Sequence, residues 1–115
     1  MRLSAIGAAI ALAAGAAAPA MAQDPVYARS LASTCFTCHG TDGRSVGGVP
    51  PSLAGQDKNY LLQALKDFKA GKRPATLMHQ QAKGYTDQQL ELIAGYFAGV
   101  KPGPAAAAPA ARGGY

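Results

Sequence analysis

The sequence predicts a small all-α domain of three main helices and one short helix. Three segments carry apolar residues at intervals of three and four, each following a residue that commonly caps a helix. No segment shows the alternation of apolar and polar residues that a half-buried β-strand requires. With 115 residues, the chain has room for one domain with a small core, which we expect to need a stabilising cofactor or cross-link.

Residues 1–22 are predicted to be a cleaved export signal. Arg2 supplies a positive charge, residues 3–18 form an apolar run, and residues 20–22 have the small-x-small form of a cleavage site. The run of 16 residues is shorter than the roughly 20 that span a bilayer. We therefore expect a periplasmic protein that has no membrane span after cleavage.

The first helix is predicted over residues 25–35. Asp24 can cap it, and Pro25 suits its first turn. Residues 40–55, which hold five glycines and two prolines, are predicted to be a loop. The apolar residues of the first helix recur at roughly helical spacing: Val26, Ala28, Leu31, Ala32 and Cys35.

The other helices follow this loop. Asp57 is predicted to cap a second main helix that ends near Ala70, and a short helix is expected near residues 78–82. Residues 86–89 have the form of a capping box for a third main helix, which ends near Ala98. The apolar faces comprise Tyr60, Leu61, Ala64, Leu65 and Phe68 in the second helix, and Leu90, Ile93, Ala94 and Phe97 in the third.

Residues 23–100 are expected to form the folded domain, and residues 101–115 a disordered tail. The tail consists mostly of Pro, Ala and Gly, so it has little apolar surface to bury. Residues 23–100 hold eight Lys and Arg against six Asp and Glu, a net charge of +2. Because no basic stripe is interleaved with aromatic residues, the sequence excludes nucleic acid as a partner.

Residues 35–39, Cys-Phe-Thr-Cys-His, carry the chemistry of this chain. Two cysteines separated by two residues and followed at once by histidine form the attachment motif of c-type haem. The thiols of Cys35 and Cys38 would bond to the porphyrin as thioethers, and His39 would lie beneath the iron as its proximal ligand. Both cysteines of the chain are used, so the sequence predicts one covalently attached haem c, which would also support the small core.

Two other interpretations of the cysteines remain. A disulfide or a thioredoxin-like redox pair suits an oxidising compartment, but the redox pair expects a βαβ unit that this sequence lacks. A zinc site would need every Cys and His of the chain, namely Cys35, Cys38, His39 and His79. The adjacent Cys38 and His39 are badly placed to converge on one tetrahedral ion.

The sixth position of the iron is expected to be taken by Met78. It is the only methionine after the predicted signal, and it lies 39 residues after His39. A thioether opposite an imidazole favours Fe(II) and suits an electron carrier. The neighbouring His79 is a rival ligand, and an open sixth position, as in a haem-based gas sensor, is the third possibility.

From Ser30 to Ala98 the chain resembles a class I c-type cytochrome. The resemblance rests on the CFTCHG motif, the Pro-x-Leu-Ala-Gly-Gln stretch, the segment YLLQALKDFKAGKR, Met78 and the segment LELIAGYFA. Within that class, CHGTDGRSVGGVPPSLAG and RPATLMHQQAKGYTDQQLELIAGYFA are most similar to the single-haem cytochrome subunit of flavocytochrome c sulfide dehydrogenase. The resemblance implies a small fold wrapped around one haem.

The resemblance also implies roles for residues outside the motif. The Pro51 carbonyl is expected to accept the N–H of the proximal imidazole, and Tyr60 is expected to line the haem crevice or pack in the core. The adjacent Gly95 and Tyr96 would lie at a close crossing of the terminal helices. The adjacent Lys72 and Arg73 would either neutralise a haem propionate or remain solvated.

The function implied by the resemblance is electron transfer, not catalysis, because no acid–base pair or nucleophile is needed. The protein would accept electrons from a FAD-containing flavoprotein subunit that oxidises sulfide, and would pass them to another redox protein. The alternative is a freely diffusing single-haem shuttle that serves an oxidase or a reductase. A dedicated subunit should bury a lasting apolar interface, whereas a shuttle should use a small and weak one.

Overall fold

The computed structural model describes residues 24–103 as five α-helices with no strand among them. The predicted export signal and residues 104–115 of the predicted tail lie outside this range. Within it, none of the helices combines the length and the apolar character that a bilayer crossing requires. The prediction of an all-α fold is confirmed. The helices are α1 (Pro25–Ala32), α2 (Phe36–His39), α3 (Lys58–Lys69), α4 (Met78–Lys83) and α5 (Asp87–Gly99), with 3₁₀ turns at Ser33–Cys35 and Thr41–Gly43.

The helical run that starts at Pro25 is longer and less regular than predicted. Its α-helical part ends at Ala32, and the chain continues through a 3₁₀ turn into α2, which ends at His39. The Ser33 hydroxyl donates to the Ser30 carbonyl at 2.7 Å, and this local bond competes with the regular helical pattern. Consequently Cys38, which was expected after the first helix, lies in helical backbone as Cys35 does.

The caps of the later helices are confirmed. The Asp57 carboxylate accepts from the Tyr60 amide at 2.8 Å at the start of α3. Thr86 and Gln89 form a reciprocal capping box at the start of α5, with distances of 3.2 and 2.9 Å. The short helix α4 begins at Met78, as predicted, and runs to Lys83.

The core is formed mainly by α5, which packs against α1 on one side and α3 on the other, while α3 also packs against α4. Val26, predicted on the apolar face of the first helix, is 75% exposed and takes no part in this core. The central cluster is small and consists of Ala32, Leu61, Ile93, Ala94 and Phe97.

The loop that follows His39 is held by backbone hydrogen bonds across its two ends. The Gly43 carbonyl accepts from the Leu53 amide at 2.8 Å and from the Ala54 amide at 3.2 Å. Arg44 donates through Nε to the Lys101 carbonyl at 3.0 Å, and Gly103 packs against the Arg44 side chain. The packed part of the chain therefore extends three residues beyond the predicted boundary at residue 100.

Candidate functional site

One cavity of about 400 Å³ lies between α3, α4, α5 and the segment that carries the cysteines. Ligand and cofactor sites commonly enclose roughly 300–1,000 Å³. The fold brings the two cysteines, the expected axial ligands and the two expected crevice residues to the wall of this one cavity. These residues are Cys35, Cys38, His39, Pro51, Tyr60 and Met78.

The walls of the cavity are mainly aliphatic and aromatic. Among the described residues that line it, Arg73 is the single Lys, Arg, Asp or Glu, and Lys72 is not part of the wall. The Arg73 guanidinium lies 4.9 Å from the centre of the Phe68 ring. A largely apolar cleft with one cation suits a flat apolar cofactor that bears carboxylates. Its apolar wall consists of Leu53, Leu61, Ala64, Leu65, Phe68, Leu77, Ala82, Leu90, Ile93, Ala94 and Phe97.

His39 ends α2 and is buried, with 8% of its surface exposed. Its Nδ1 lies 2.6 Å from the Pro51 carbonyl oxygen. Because a carbonyl can only accept, Nδ1 carries the proton, and the other ring nitrogen, Nε2, keeps its lone pair. This is the tautomer that a metal-binding imidazole needs, with its orientation fixed by a backbone acceptor.

Met78 and His79 have different surroundings. Met78 is the first residue of α4, is half-buried and lines the cavity. The His79 Nε2 lies 2.8 Å from the Arg73 carbonyl, so it donates there, and its ring stands edge-on to Phe68 at 6.3 Å between centres. Of the two rival ligands, only Met78 therefore presents its side chain to the cavity.

The two cysteines are not joined to each other, and each thiol is free. Burial raises the pKa of the Cys35 thiol above its ordinary value, although a hydrogen bond from Thr34 acts against this shift. A redox-active cysteine needs a lowered pKa to supply thiolate, so the environment of Cys35 does not favour a thioredoxin-like pair. Within residues 24–103 no three His, Cys, Asp or Glu side chains lie close enough together to hold a metal ion.

Tyr85 is a cavity residue that the sequence analysis missed. Its hydroxyl lies 2.5 Å from the Thr34 hydroxyl, and its backbone carbonyl accepts from Lys69 Nζ at 2.8 Å. The bond to Thr34 joins the chain just after α4 to the chain just before Cys35. Tyr85 lies between two predicted helices and belongs to neither apolar face, so only its aromatic character could have indicated it.

The terminal helices α1 and α5 pack against each other as expected, but their contact does not require a glycine at Gly95. A Cβ atom at this position would lie 3.7 Å from Lys58 Cε and would meet no atom of α1 within 4 Å. Gly95 instead lines a shallow surface groove. The neighbouring Tyr96 packs its ring against Phe36 and Phe97, and its hydroxyl donates to Asp42.

Comparison with known proteins agrees with this arrangement of residues. The cytochrome c family model matches residues 26–101. The chain is 49% identical over 67 residues to the cytochrome subunit of sulfide dehydrogenase of Chlorobaculum tepidum, covering 58% of this chain and 60% of that protein. It is 41% identical over 80 residues to cytochrome c4 of Pseudomonas aeruginosa, covering 70% of this chain and 40% of that protein.

A third relative is matched over nearly its whole length. Cytochrome c-554(548) of Halomonas halodenitrificans is 35% identical over 79 residues, which is 66% of this chain and 95% of that protein. By contrast, the matches to the two relatives above span 60% and 40% of their lengths. The chain thus matches only part of the length of two of these three relatives.

Proposed function

This chain belongs to the cytochrome c family, and we propose from that premise that it is an electron-transfer protein with one covalently bound haem c. Family membership implies covalently bound haem c, and the chain's two cysteines form a single attachment motif. The observation that carries the proposal is that this motif, His39 and Met78 line the same apolar cavity. Cys35 and Cys38 form the two thioether bonds to the haem.

His39 through Nε2 and Met78 through its thioether sulfur are the residues that would hold the haem iron. When bound, the haem supplies a one-electron Fe(III)/Fe(II) couple. The Pro51 carbonyl holds the His39 ring at one orientation, and the buried aliphatic residues around the cavity exclude water. If both side chains hold the iron in either oxidation state, little rearrangement would accompany electron transfer, and no proton or nucleophile is required of the chain.

Arg73 provides a charge partner for the haem carboxylates. It is the one permanent cation on the cavity wall among the described residues, and its stacking on Phe68 limits the positions of its guanidinium. Tyr60, which is 49% exposed, contributes to the mouth of the same crevice. Both residues thus act on the environment of the cofactor rather than on the iron itself.

The proposal extends to the organisation and location of the chain. Residues 1–22 direct export and are removed, the cytochrome domain starts at residue 23, and a tail follows it. The positive start, the apolar run and the small-x-small site support export. The mature protein then works in the periplasm, and its intact mass should correspond to a chain that begins at Gln23 and carries one haem.

The electron donor is the flavoprotein subunit of a sulfide dehydrogenase, and the acceptor is a second redox protein. The motif-rich resemblance and the 49% identity to the Chlorobaculum tepidum subunit support this donor. The chain itself contributes no catalytic residue to sulfide oxidation, since the flavin subunit carries that chemistry. A freely diffusing shuttle remains the competing function.

Size-exclusion chromatography of the native periplasmic protein tests the partner, with haem and flavin absorbance recorded together. Co-elution of haem and flavin well above the mass of one chain supports the complex, and sulfide should then reduce the haem of that fraction. Haem that elutes alone, and that sulfide does not reduce when the flavin fraction is added back, refutes the partner and supports the shuttle. Either result leaves the electron-transfer function in place.

A further inference from the structure

The carboxylate of Asp42 contacts three side chains from separate parts of the chain. It is the third residue after His39 and has a left-handed backbone, with φ of 53°. Its Oδ1 accepts from the Tyr96 hydroxyl at 2.5 Å and lies 3.1 Å from Arg29 Nη2. Its Oδ2 lies 3.6 Å from Arg44 Nη1. The carboxylate therefore ties the chain after the haem motif to α1, to α5 and to the following loop.

Two sets of hydrogen bonds, joined by short stretches of backbone, connect the turn at Asp42 to the His39 ring. The turn that contains Asp42 presents the Gly43 carbonyl to the amides of Leu53 and Ala54. Leu53 follows Pro51 by two residues, and the Pro51 carbonyl accepts from His39 Nδ1 at 2.6 Å. If the turn moves, the segment that carries the acceptor for His39 moves with it.

The donors to Asp42 also touch the motif directly. The Arg29 guanidinium lies 5.5 Å from the centre of the Phe36 ring, and Phe36 is the residue between Cys35 and Thr37. The Tyr96 ring centre lies 6.2 Å from that of Phe36. Arg44 connects the same carboxylate to the Lys101 carbonyl at 3.0 Å. Thus two of the side chains that contact the Asp42 carboxylate also pack against Phe36 of the motif.

We propose that Asp42 is a positioning residue, whose carboxylate keeps the Pro51 carbonyl in place and thereby fixes the orientation of His39 beneath the iron. This inference rests on the proposed function, because it takes His39 as an iron ligand. An Asp is well suited to the position, since it tolerates left-handed backbone and accepts several charged or polar donors. The Tyr96 hydrogen bond and the two arginines also lower its pKa below the ordinary value, which keeps it ionised.

The variant Asp42→Asn tests the charge with little change of shape, because Asn also tolerates the left-handed region. Tyr96→Phe is the second variant, since it removes one donor and keeps the aromatic packing. Glu91→Gln is the matched control. Glu91 pairs with Lys58 at 3.1 Å, both side chains are exposed, and neither lines the cavity. Each variant is studied as the exported holoprotein.

The first measurement is the hydrogen-exchange rate of the Leu53 and Ala54 amides. The second is the set of paramagnetic shifts of the His39 ring protons in the oxidised protein. In Asp42→Asn we expect exchange at these amides to rise about tenfold, as the loss of charge-assisted hydrogen bonds predicts, together with a change in the His39 shifts. Tyr96→Phe should change both in the same direction, and Glu91→Gln should leave both unchanged.

The inference is overturned if Asp42→Asn matches Glu91→Gln in both measurements. It is also overturned if hydrogen exchange at the Ile93 and Ala94 amides of α5 becomes faster by the same factor as at Leu53 while the His39 shifts stay constant. That pattern would indicate general destabilisation of the protein. A parent protein in which the His39 ring carries no paramagnetic shift would refute the proposed ligand instead. The two failures are therefore distinguishable.

Discussion

Replacing Gly43 by alanine should destabilise the holoprotein strongly. Gly43 has φ of 77°, and a Cβ atom there would lie 2.7 Å from Cδ1 and 2.8 Å from Cε1 of Phe97, as well as 3.1 Å from the Ala54 nitrogen. Phe97 is 1% exposed in the core, so its ring has nowhere to move. The left-handed backbone costs about 1–2 kcal/mol and overpacking costs about 1–3 kcal/mol, which together give about 2–5 kcal/mol.

Gly47→Ala is the matched control for this prediction. Gly47 has φ of 82°, yet a Cβ atom there would meet nothing within 4 Å. The substitution therefore carries only the free-energy cost of the left-handed backbone and no overpacking. Equilibrium urea unfolding of the two holoproteins should therefore differ by about 1–3 kcal/mol, and thermal midpoints by roughly 4–8 °C for each kcal/mol. Equal free energies of unfolding in the two variants would refute the packing of this turn against Phe97.

Met78→Ala should lower the reduction potential and admit external iron ligands, because the thioether that favours Fe(II) is lost. His79→Ala should lower the potential far less than Met78→Ala, since the His79 ring donates to the Arg73 carbonyl and does not line the cavity; a larger loss of potential in His79→Ala than in Met78→Ala would reverse the ligand assignment. Cys38→Ala should release haem more readily into acidified organic solvent, and retention equal to the parent would contradict attachment through both cysteines. Hydrogen bonding by Tyr96 and the charges of Arg29 and Arg44 lower the pKa of Asp42 from its ordinary 3.8. Its contribution to stability is therefore complete above about pH 4 and is lost as the pH falls through the lowered pKa. In Asp42→Asn the free energy of unfolding should therefore fall less steeply at acid pH than in the parent. Equal slopes in the two proteins would show that Asp42 contributes nothing to the loss of stability in acid.

Features that depend on neighbouring residues were predictable from the sequence. Asp57 and Thr86 each cap a helix through a residue three positions away, so the local pattern contains the whole interaction. The Cys-x-x-Cys-His motif is equally local, and it indicated the haem. The position of Met78 in the cavity followed from its being the only methionine available in the folded region.

Features that depend on distant residues were not predictable in the same way. Asp42 and Tyr96 are 54 positions apart, and Thr34 and Tyr85 are 51 apart. The sequence shows no pattern for such pairs, because they form only when helices pack. The contact between His39 and Pro51 came from family resemblance rather than from spacing, since residues 40–55 have no periodicity. The hydrogen bond from Arg44 to the Lys101 carbonyl was missed for the same reason.

The proposed function requires one haem c per chain, with the iron held on both sides by side chains of the protein. A spectroelectrochemical titration of the exported protein, with haem and protein quantified in the same sample, tests it most directly. We expect one haem per chain and a single reversible one-electron transition that carbon monoxide does not shift. A transition that carbon monoxide shifts, a second transition, or a haem that leaves the denatured chain would contradict the account.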